Sequence, residues 1–226
     1  MSPRIKLGIL TPSSNTSLEP LTQALIANLP HVSVHFSCFR VLKISLDGDG
    51  LDQFRNESII AAAQLLADAE VDMIGWSGTS SGWLGFEADE RLCADIAAAT
   101  DVPATTSILA LNKAVGEFGE AIVRTYATVG VDCSKERNLR LSKNSAFADI
   151  QESVLDGVVE EVAGRKVQAI TTFCTNLRAA QRVAYWEEVH GIPVFDTVAT
   201  VIWEMLRVCK VDMKPLAAWG MLFTKN

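Results

Sequence analysis

The sequence predicts an α/β protein with two Rossmann-like lobes, in which parallel sheets are flanked by helices. Short β-branched runs alternate with helical stretches along the chain, which is typical of this class. One pattern also occurs twice: an apolar strand ends in small polar residues, and a helical stretch and a Pro-led strand follow. The first copy spans residues 71–106 and the second spans 167–196. This repeat predicts two lobes that face each other about a pseudo-twofold axis across one cleft.

Composition and charge narrow the class of protein. The 226 residues, 49% of them hydrophobic, are enough for a sizeable core. No apolar run approaches the roughly 20 residues of a membrane span, and the first residues show no signal-peptide pattern, so we expect a cytoplasmic protein with no membrane partner. The net charge of −7 argues against nucleic acid as the main partner. The five cysteines are widely spaced, which favours free thiols and provides no CxxC zinc or redox spacing.

The first half of the chain alternates strands and helices. A loop at 11–16 follows the first strand and contains hydroxyls and one amide, Asn15. With the N–H groups of the next helix, these groups suit a carboxylate or another small anion, although an ordinary helix-capping loop has the same composition. The predicted elements are strands at 6–10, 32–41, from 71 and at 102–106, with helices at about 17–28, 54–70, 91–99 and 108–115.

Gly78, Thr79 and Ser80 begin a G-x-S-x-G pattern, the nucleophile elbow of serine hydrolases, between a strand and a helix. Such a serine needs a histidine partner. His190 precedes the strand at Pro193, which predicts a position at the amino edge of the sheet, opposite Ser80. The sequence therefore argues against a Ser–His triad.

Cys174 follows a buried apolar strand in the second copy of the repeat. Ligands of open α/β sheets bind at the carboxyl ends of strands, where this thiol lies. If N–H groups at a helix N-terminus face the thiol, its pKa is lowered, and it can act as acid, base or nucleophile. A strand-end cysteine can also be only a small apolar residue. In the two-lobe arrangement, Gly78 and Cys174 lie on opposite walls of the cleft.

The second half departs from the repeat. It should open, as the first half does, with a strand, a Thr-Pro loop and a helix. Residues 120–129 instead have helical spacing and run into Gly130, so a strand and its loop are missing. We divide the chain into a first lobe at 1–107, a second lobe at 108–208 and a tail at 209–226 that packs back on the body. The remaining predicted elements are a strand at 131–141, helices at 147–161 and 182–190, a strand at 194 and a helix to about 208.

Taken together, these motifs resemble the aspartate/glutamate racemase superfamily, and more closely its maleate isomerase and arylmalonate decarboxylase branch. The resemblance covers nearly the whole chain and rests on residues 8–16, 76–80, 142–148 and 173–178. Racemases of this superfamily use two cysteines, one on each wall, to move an α-proton through an enediolate without a cofactor. The first cysteine falls at Gly78 and the second at Cys174. Because a glycine cannot carry a proton, the resemblance disfavours two-base racemisation and an isomerase mechanism begun by the first cysteine.

Two subfamilies remain open. Like this chain, arylmalonate decarboxylases have Gly-Thr-Ser on the first wall and keep only the second cysteine. That likeness implies that Thr79 and Ser80, with backbone N–H groups, stabilise the enediolate left by CO2, and that Cys174 protonates its carbon. The resemblance to maleate isomerases instead implies a dicarboxylate site. It would be formed by Asn15, Asn144, Thr175 and Asn176.

We therefore expect an enzyme that acts on a small carboxylate substrate without a cofactor or metal, by decarboxylation or by cis–trans isomerisation. Gly78 favours decarboxylation. Family members usually carry Thr-Pro-Tyr in the segment that is missing here, and its tyrosine helps to bind the carboxylate. That absence leaves a third hypothesis, a non-catalytic carboxylate-binding protein. The sequence leaves homo-oligomer formation open.

Overall fold

The first half of the chain forms a parallel sheet. The structure, a computed structural model, describes residues 4–41, 56–79, 86–118, 135, 137–141, 143–164 and 167–224. The strands β1 (Ile5–Pro12), β2 (Val32–Phe39), β3 (Met73–Trp76) and β4 (Ala104–Thr106) pair in the order β2-β1-β3-β4, with every pair parallel. Parallel strands need crossovers, and the helices of this half supply them.

Within the described ranges, a second parallel sheet contains β5 (Ile170–Thr172) and β6 (Val194–Asp196), with Thr172 opposite Asp196. Helices cover both sheets, which confirms the predicted α/β class. The helices are α1 (Leu18–Ile26), α2 (Asn56–Asp68), α3 (Phe86–Thr100), α4 (Ser107–Phe118), α5 (Glu152–Val162), α6 (Val183–His190) and α7 (Thr197–Val208). The 3₁₀ turns are Asn144–Asp149, Ala180–Arg182, Lys214–Trp219 and Met221–Thr224.

Helix α7 is the central element of the core. Its residues from Thr197 to Leu206 are all buried, because it packs against α1, α4, β3 and β6. Its sequence is accordingly apolar on nearly all sides. The buried charged residue of the helix is Glu204, which forms ion pairs with Lys113 and Arg207. Asp196 begins the helix by accepting hydrogen bonds from the N–H groups of Val198 and Ala199.

Strand β3 is buried on both faces, which explains its continuous apolar sequence. Met73 and Gly75 lie on the face that packs against α7. Ile74 and Trp76 lie on the other face, in a cluster with residues of α2 and α3. The two faces of the strand therefore pack in different cores.

Three predicted elements differ from the structure. The strand predicted over 131–141 is absent from its described part, since residues 137–141 have no regular structure and Arg140 has a φ of 55°, which is incompatible with a strand. The helix predicted over 147–161 is divided, because Ile150 and Gln151 are extended between a 3₁₀ turn and α5. Helix α3 begins at Phe86, earlier than predicted; Glu87 and Asp89 in its first turn favour an N-terminus there.

Residues 120–129, where the sequence predicts helical spacing in place of the expected strand, lie outside the described residues. After α7, the described chain ends in two 3₁₀ turns that place Leu216, Leu222 and Phe223 in the core. In the described part of the chain, no helix is long and apolar enough to cross a membrane.

Candidate active site

Cys174 lies two residues beyond the end of β5 and is buried. A turn and the 3₁₀ turn at Ala180–Arg182 follow it, rather than the N-terminus of an α-helix. Burial raises the pKa of Cys174 to about 11, while the N–H groups of Asn176 and Leu177 act in the opposite direction. The condition for a lowered pKa, a helix N-terminus that faces the thiol, is therefore not met. A thiol with this pKa is protonated at neutral pH, so it can donate a proton more readily than it can attack as a thiolate.

Asp196 is a buried carboxyl group behind Cys174 that the sequence analysis did not single out. It lies opposite Thr172, whose hydroxyl donates a 2.7 Å hydrogen bond to Oδ2. Burial raises the pKa of Asp196 to about 6, against the hydrogen bonds from Thr172 and the first turn of α7. Its charge adds to the raised pKa of Cys174. The sequence signal was an Asp-Thr pair between a strand and a helix, which predicts a helix cap but not its proximity to the thiol.

The carboxyl edges of the two sheets are joined through Thr175. The Nδ2 of Asn15 donates to Thr175 Oγ1 at 3.1 Å, and that hydroxyl donates to the carbonyl oxygen of Ser77 at 3.3 Å. Asn15 Oδ1 also accepts from the N–H groups of Ser17 and Leu18, at 3.1 and 3.0 Å. Asn15 therefore binds N–H groups at the start of α1 and the loop after β5 at the same time.

Asn176 and Asn144 extend this network. Asn176 is almost completely buried; its Oδ1 accepts from the N–H groups of Thr16 and Ser17, at 3.0 and 3.1 Å. Its Nδ2 donates to the carbonyl oxygen of Asn144 at 2.8 Å, and Asn144 Nδ2 donates to Ser14 Oγ at 2.8 Å. The structure thus brings the four predicted residues Asn15, Asn144, Thr175 and Asn176 together next to Cys174.

The side of the site opposite Cys174 is formed largely by backbone groups, because its central residue is a glycine. We call residues 77–79, which follow β3, the first wall, and residues 174–177 the second wall. Gly78 lies on the first wall beside the indole ring of Trp76, which packs on Phe39 with ring centroids 5.0 Å apart. Thr79 is half-buried, and Ser80 lies outside the described residues. The first wall therefore supplies backbone groups and two described hydroxyls, those of the buried Ser77 and of Thr79.

The histidines lie away from this edge. His190 ends α6 before β6, at the amino end of the sheet, and its Nε2 is 3.6 Å from Glu160 Oε2. His35 lies within β2 and contacts Ser33, while His31 precedes that strand. None of the three is placed at the carboxyl edge, so the geometry gives no support to a Ser–His triad. Among the described residues, no group of three or more His, Cys, Asp or Glu side chains could hold a metal ion.

The sequence as a whole matches a known family of enzymes. The family model for arylmalonate decarboxylase matches residues 7–223, so the chain belongs to the arylmalonate decarboxylase family. This membership confirms the predicted branch of the aspartate/glutamate racemase superfamily and the prediction of an enzyme family. A comparison with curated proteins gives no match.

Solved structures show the same two-lobe fold. Maleate isomerase Iso from Pseudomonas putida S16, in a complex with maleate, matches with a TM-score of 0.81 and 21% identity over 97% of both chains. Maleate cis-trans isomerase from Nocardia farcinica, bound to TRIS, matches with a TM-score of 0.83 and 18% identity over 97% of both chains. A double mutant of arylmalonate decarboxylase in its liganded form matches with a TM-score of 0.83 and 18% identity, over 99% of this chain and 100% of that one.

Proposed function

We propose that the protein is a cofactor-independent decarboxylase of α-substituted malonates, with Cys174 as the acid that protonates the product carbon. The observation that carries the proposal is the asymmetry of the site. Cys174 is buried and has a pKa raised to about 11, whereas Gly78 gives the first wall no group that can exchange a proton. One proton donor is what decarboxylation followed by protonation requires.

The first step is loss of CO2 from one carboxylate. The C–C bond breaks, and its electron pair enters the other carboxylate to form an enediolate. Backbone N–H groups of the first wall and the hydroxyl of Thr79, together with Ser80 from the resemblance, stabilise the negative oxygens. Such donors typically contribute a factor of about 10²–10³ each to the rate.

The second step is protonation of the enediolate carbon by the Cys174 thiol, which forms the C–H bond and leaves a thiolate. The N–H groups of Asn176 and Leu177, which lower the pKa of the thiol, stabilise that thiolate. Water then returns the proton. Burial therefore keeps the thiol protonated before the reaction, and the two N–H groups stabilise the negative charge of the thiolate afterwards.

The asparagines have two roles in this proposal. Asn176, with both ends of its amide bonded to protein groups, positions the second wall. Asn15 and Asn144 each donate one described hydrogen bond from Nδ2. A side-chain amide nitrogen carries two N–H donors, so each can also donate to a substrate carboxylate.

The second candidate function is cis–trans isomerisation of maleate. The asparagine network and the fold similarity to the two maleate isomerases favour it. That reaction would need a nucleophile that adds to the double bond, and a thiol with a raised pKa supplies little thiolate at neutral pH. Decarboxylation therefore fits the second wall better.

Proton NMR in D2O distinguishes these functions. The wild type, Cys174→Ser and, as a control, Cys38→Ser, which changes an exposed free thiol on β2, are incubated separately with α-aryl and α-alkyl malonates and with maleate. Loss of CO2 with deuterium at the α-carbon, by the wild type and Cys38→Ser alone, supports the decarboxylase. Conversion of maleate to fumarate supports the isomerase instead. Ligand binding by calorimetry without turnover would show a carboxylate-binding protein.

A further inference from the structure

Trp76 and Gly78 compete for the same space. They are two residues apart where β3 continues into the first wall, and side chains two apart in an extended chain project from the same face. A β-carbon at Gly78 would lie 2.7 Å from Nε1 of the Trp76 indole and closer still to Cζ2 and Cε2. Real β-carbons essentially never approach a heavy atom within 3.0 Å. Any side chain at position 78 therefore requires the indole to move.

The indole is held firmly. Trp76 is only 1% exposed, and its ring packs on Phe39 at an interplanar angle of 47°. Its core cluster also contains Ile74, Leu92 and Ile96. The atoms that obstruct position 78 belong to a rigid ring rather than to the end of a flexible side chain. Close-packed interiors do not absorb a shift of this kind without strain.

We propose that Trp76 is a specificity-determining residue, because its indole ring excludes any acid–base side chain from position 78 of the first wall. The chemical consequence, a site limited to the single proton donor Cys174, rests on the proposed function; the steric exclusion does not. The absence of a cysteine at position 78 is then a consequence of the packing of Trp76. A second acid–base group there needs two changes, a smaller residue at 76 and a side chain at 78.

A double-mutant cycle of unfolding tests the steric exclusion without any substrate. Gly78→Ala is measured in the wild type and in a Trp76→Leu background, which has room beside position 78. We expect Gly78→Ala to lower the urea midpoint of the wild type and to leave that of Trp76→Leu nearly unchanged. Equal losses in both backgrounds would overturn the proposal.

Gly75→Ala is the matched control. Gly75 is also on β3, but its β-carbon would meet Met205 Sδ at 2.5 Å and Val201 Cγ2 at 2.9 Å, on the opposite face of the strand. Its effect on the midpoint should therefore be the same with Trp76 or with Leu at position 76. If Gly78→Ala alone does not fold, a folded Trp76→Leu/Gly78→Ala variant supports the exclusion. Failure of both to fold counts against it.

Deuterium exchange tests the chemical consequence. An enantiopure α-aryl carboxylic acid, the product type of the proposed reaction, is incubated in D2O with Gly78→Cys and with Trp76→Leu/Gly78→Cys. We expect exchange with racemisation in the double variant at a rate at least tenfold above that of the single variant. Equal racemisation by the single variant overturns the proposal. Coupling in the unfolding cycle with no exchange in either variant leaves the exclusion intact and contradicts the proposed acid chemistry instead.

Discussion

The first wall and the second wall both follow a buried parallel strand, but they obtain their properties from different places. On the second wall, the functional groups belong to the wall itself: Cys174 carries the thiol, and Thr175 and Asn176 bond the neighbouring loops. On the first wall, Gly78 contributes no side chain, and Trp76 behind it determines what can stand there. A residue without a functional side chain, such as Gly78, can therefore be required at its position by the packing of a neighbouring residue.

The largest effect should follow from removing the proposed acid, Cys174. Cys174→Ala should lower kcat by about 10²–10⁴-fold, the usual contribution of general acid–base catalysis. Its unfolding midpoint should stay close to that of the wild type, because the change removes one small buried group. Rates of CO2 release and a urea unfolding curve measure the two quantities.

The pH profile of the wild type is the control on this role. With a pKa of about 11, the thiol remains protonated through neutral pH, so kcat should decline only as the pH approaches that value. An attacking thiolate would give a rate that rises with pH over the same range. A rising profile would thus contradict the acid role and favour addition to the substrate.

Asp196→Asn tests the carboxyl group behind the second wall. Burial raises the pKa of Asp196 from 3.8 to about 6, so its protonated form favours the folded state. The contribution is fully present below pH 3.8 and is lost as the pH rises through about 6. Relative to Asp196→Asn, the wild type should therefore gain up to roughly 3 kcal/mol of unfolding free energy as the pH falls through that window.

Urea unfolding of both proteins at several pH values between 4 and 7 measures this difference. The asparagine keeps an oxygen for the cap of α7, so loss of the cap does not obscure the result. A difference that stays constant with pH, or that grows as the pH rises, would contradict the burial of an ionisable group at this position.

Asn176→Ala tests the bonds that hold the second wall. The substitution removes the acceptor for the N–H groups of Thr16 and Ser17 and the donor to the carbonyl of Asn144. Unpaired buried groups cost about 1–3 kcal/mol of stability, and kcat should fall as well because the Cys174 loop loses its support. Asn138→Ala is the control, since Asn138 makes an exposed bond to the Arg140 N–H. Equal losses in the two variants would contradict the role of Asn176.

The sequence predicted the parts of this comparison that depend on chain order. β3 is a continuous apolar run, β1 is mostly apolar and β5 is entirely β-branched, and polar residues follow the carboxyl ends of all three strands, the edge at which ligands of open α/β sheets bind. The resemblance of their motifs to maleate isomerases, rather than chain order, grouped Asn15 with Thr175 and Asn176. The hydrogen bonds of the network could not be predicted in this way, because β1 and β5 belong to different sheets.

What the sequence did not predict depends on tertiary packing. The pKa of Cys174 rises because other elements bury it, although nearby N–H groups lower it as expected. The Trp76 ring lies beside Gly78 because it packs against Phe39 and the other residues of their core cluster. The strand predicted up to Leu141 was inferred from the strand preference of the residue types alone. The backbone of Arg140 lies in the left-handed region, which a strand does not allow.

The smallest predicted effect distinguishes two reasons for a glycine, lack of space for a side chain and a requirement of the backbone. Gly157 lies inside α5, and a β-carbon there would meet no heavy atom within 4 Å. Gly157→Ala should therefore raise the unfolding free energy by about 0.5–1 kcal/mol, because alanine loses less conformational freedom in a helix. The same replacement at Gly78 should have the opposite sign, since Trp76 fills the space. Urea unfolding of both variants measures the contrast, and a loss of stability in Gly157→Ala would show that replacing a glycine is costly here even where space is free.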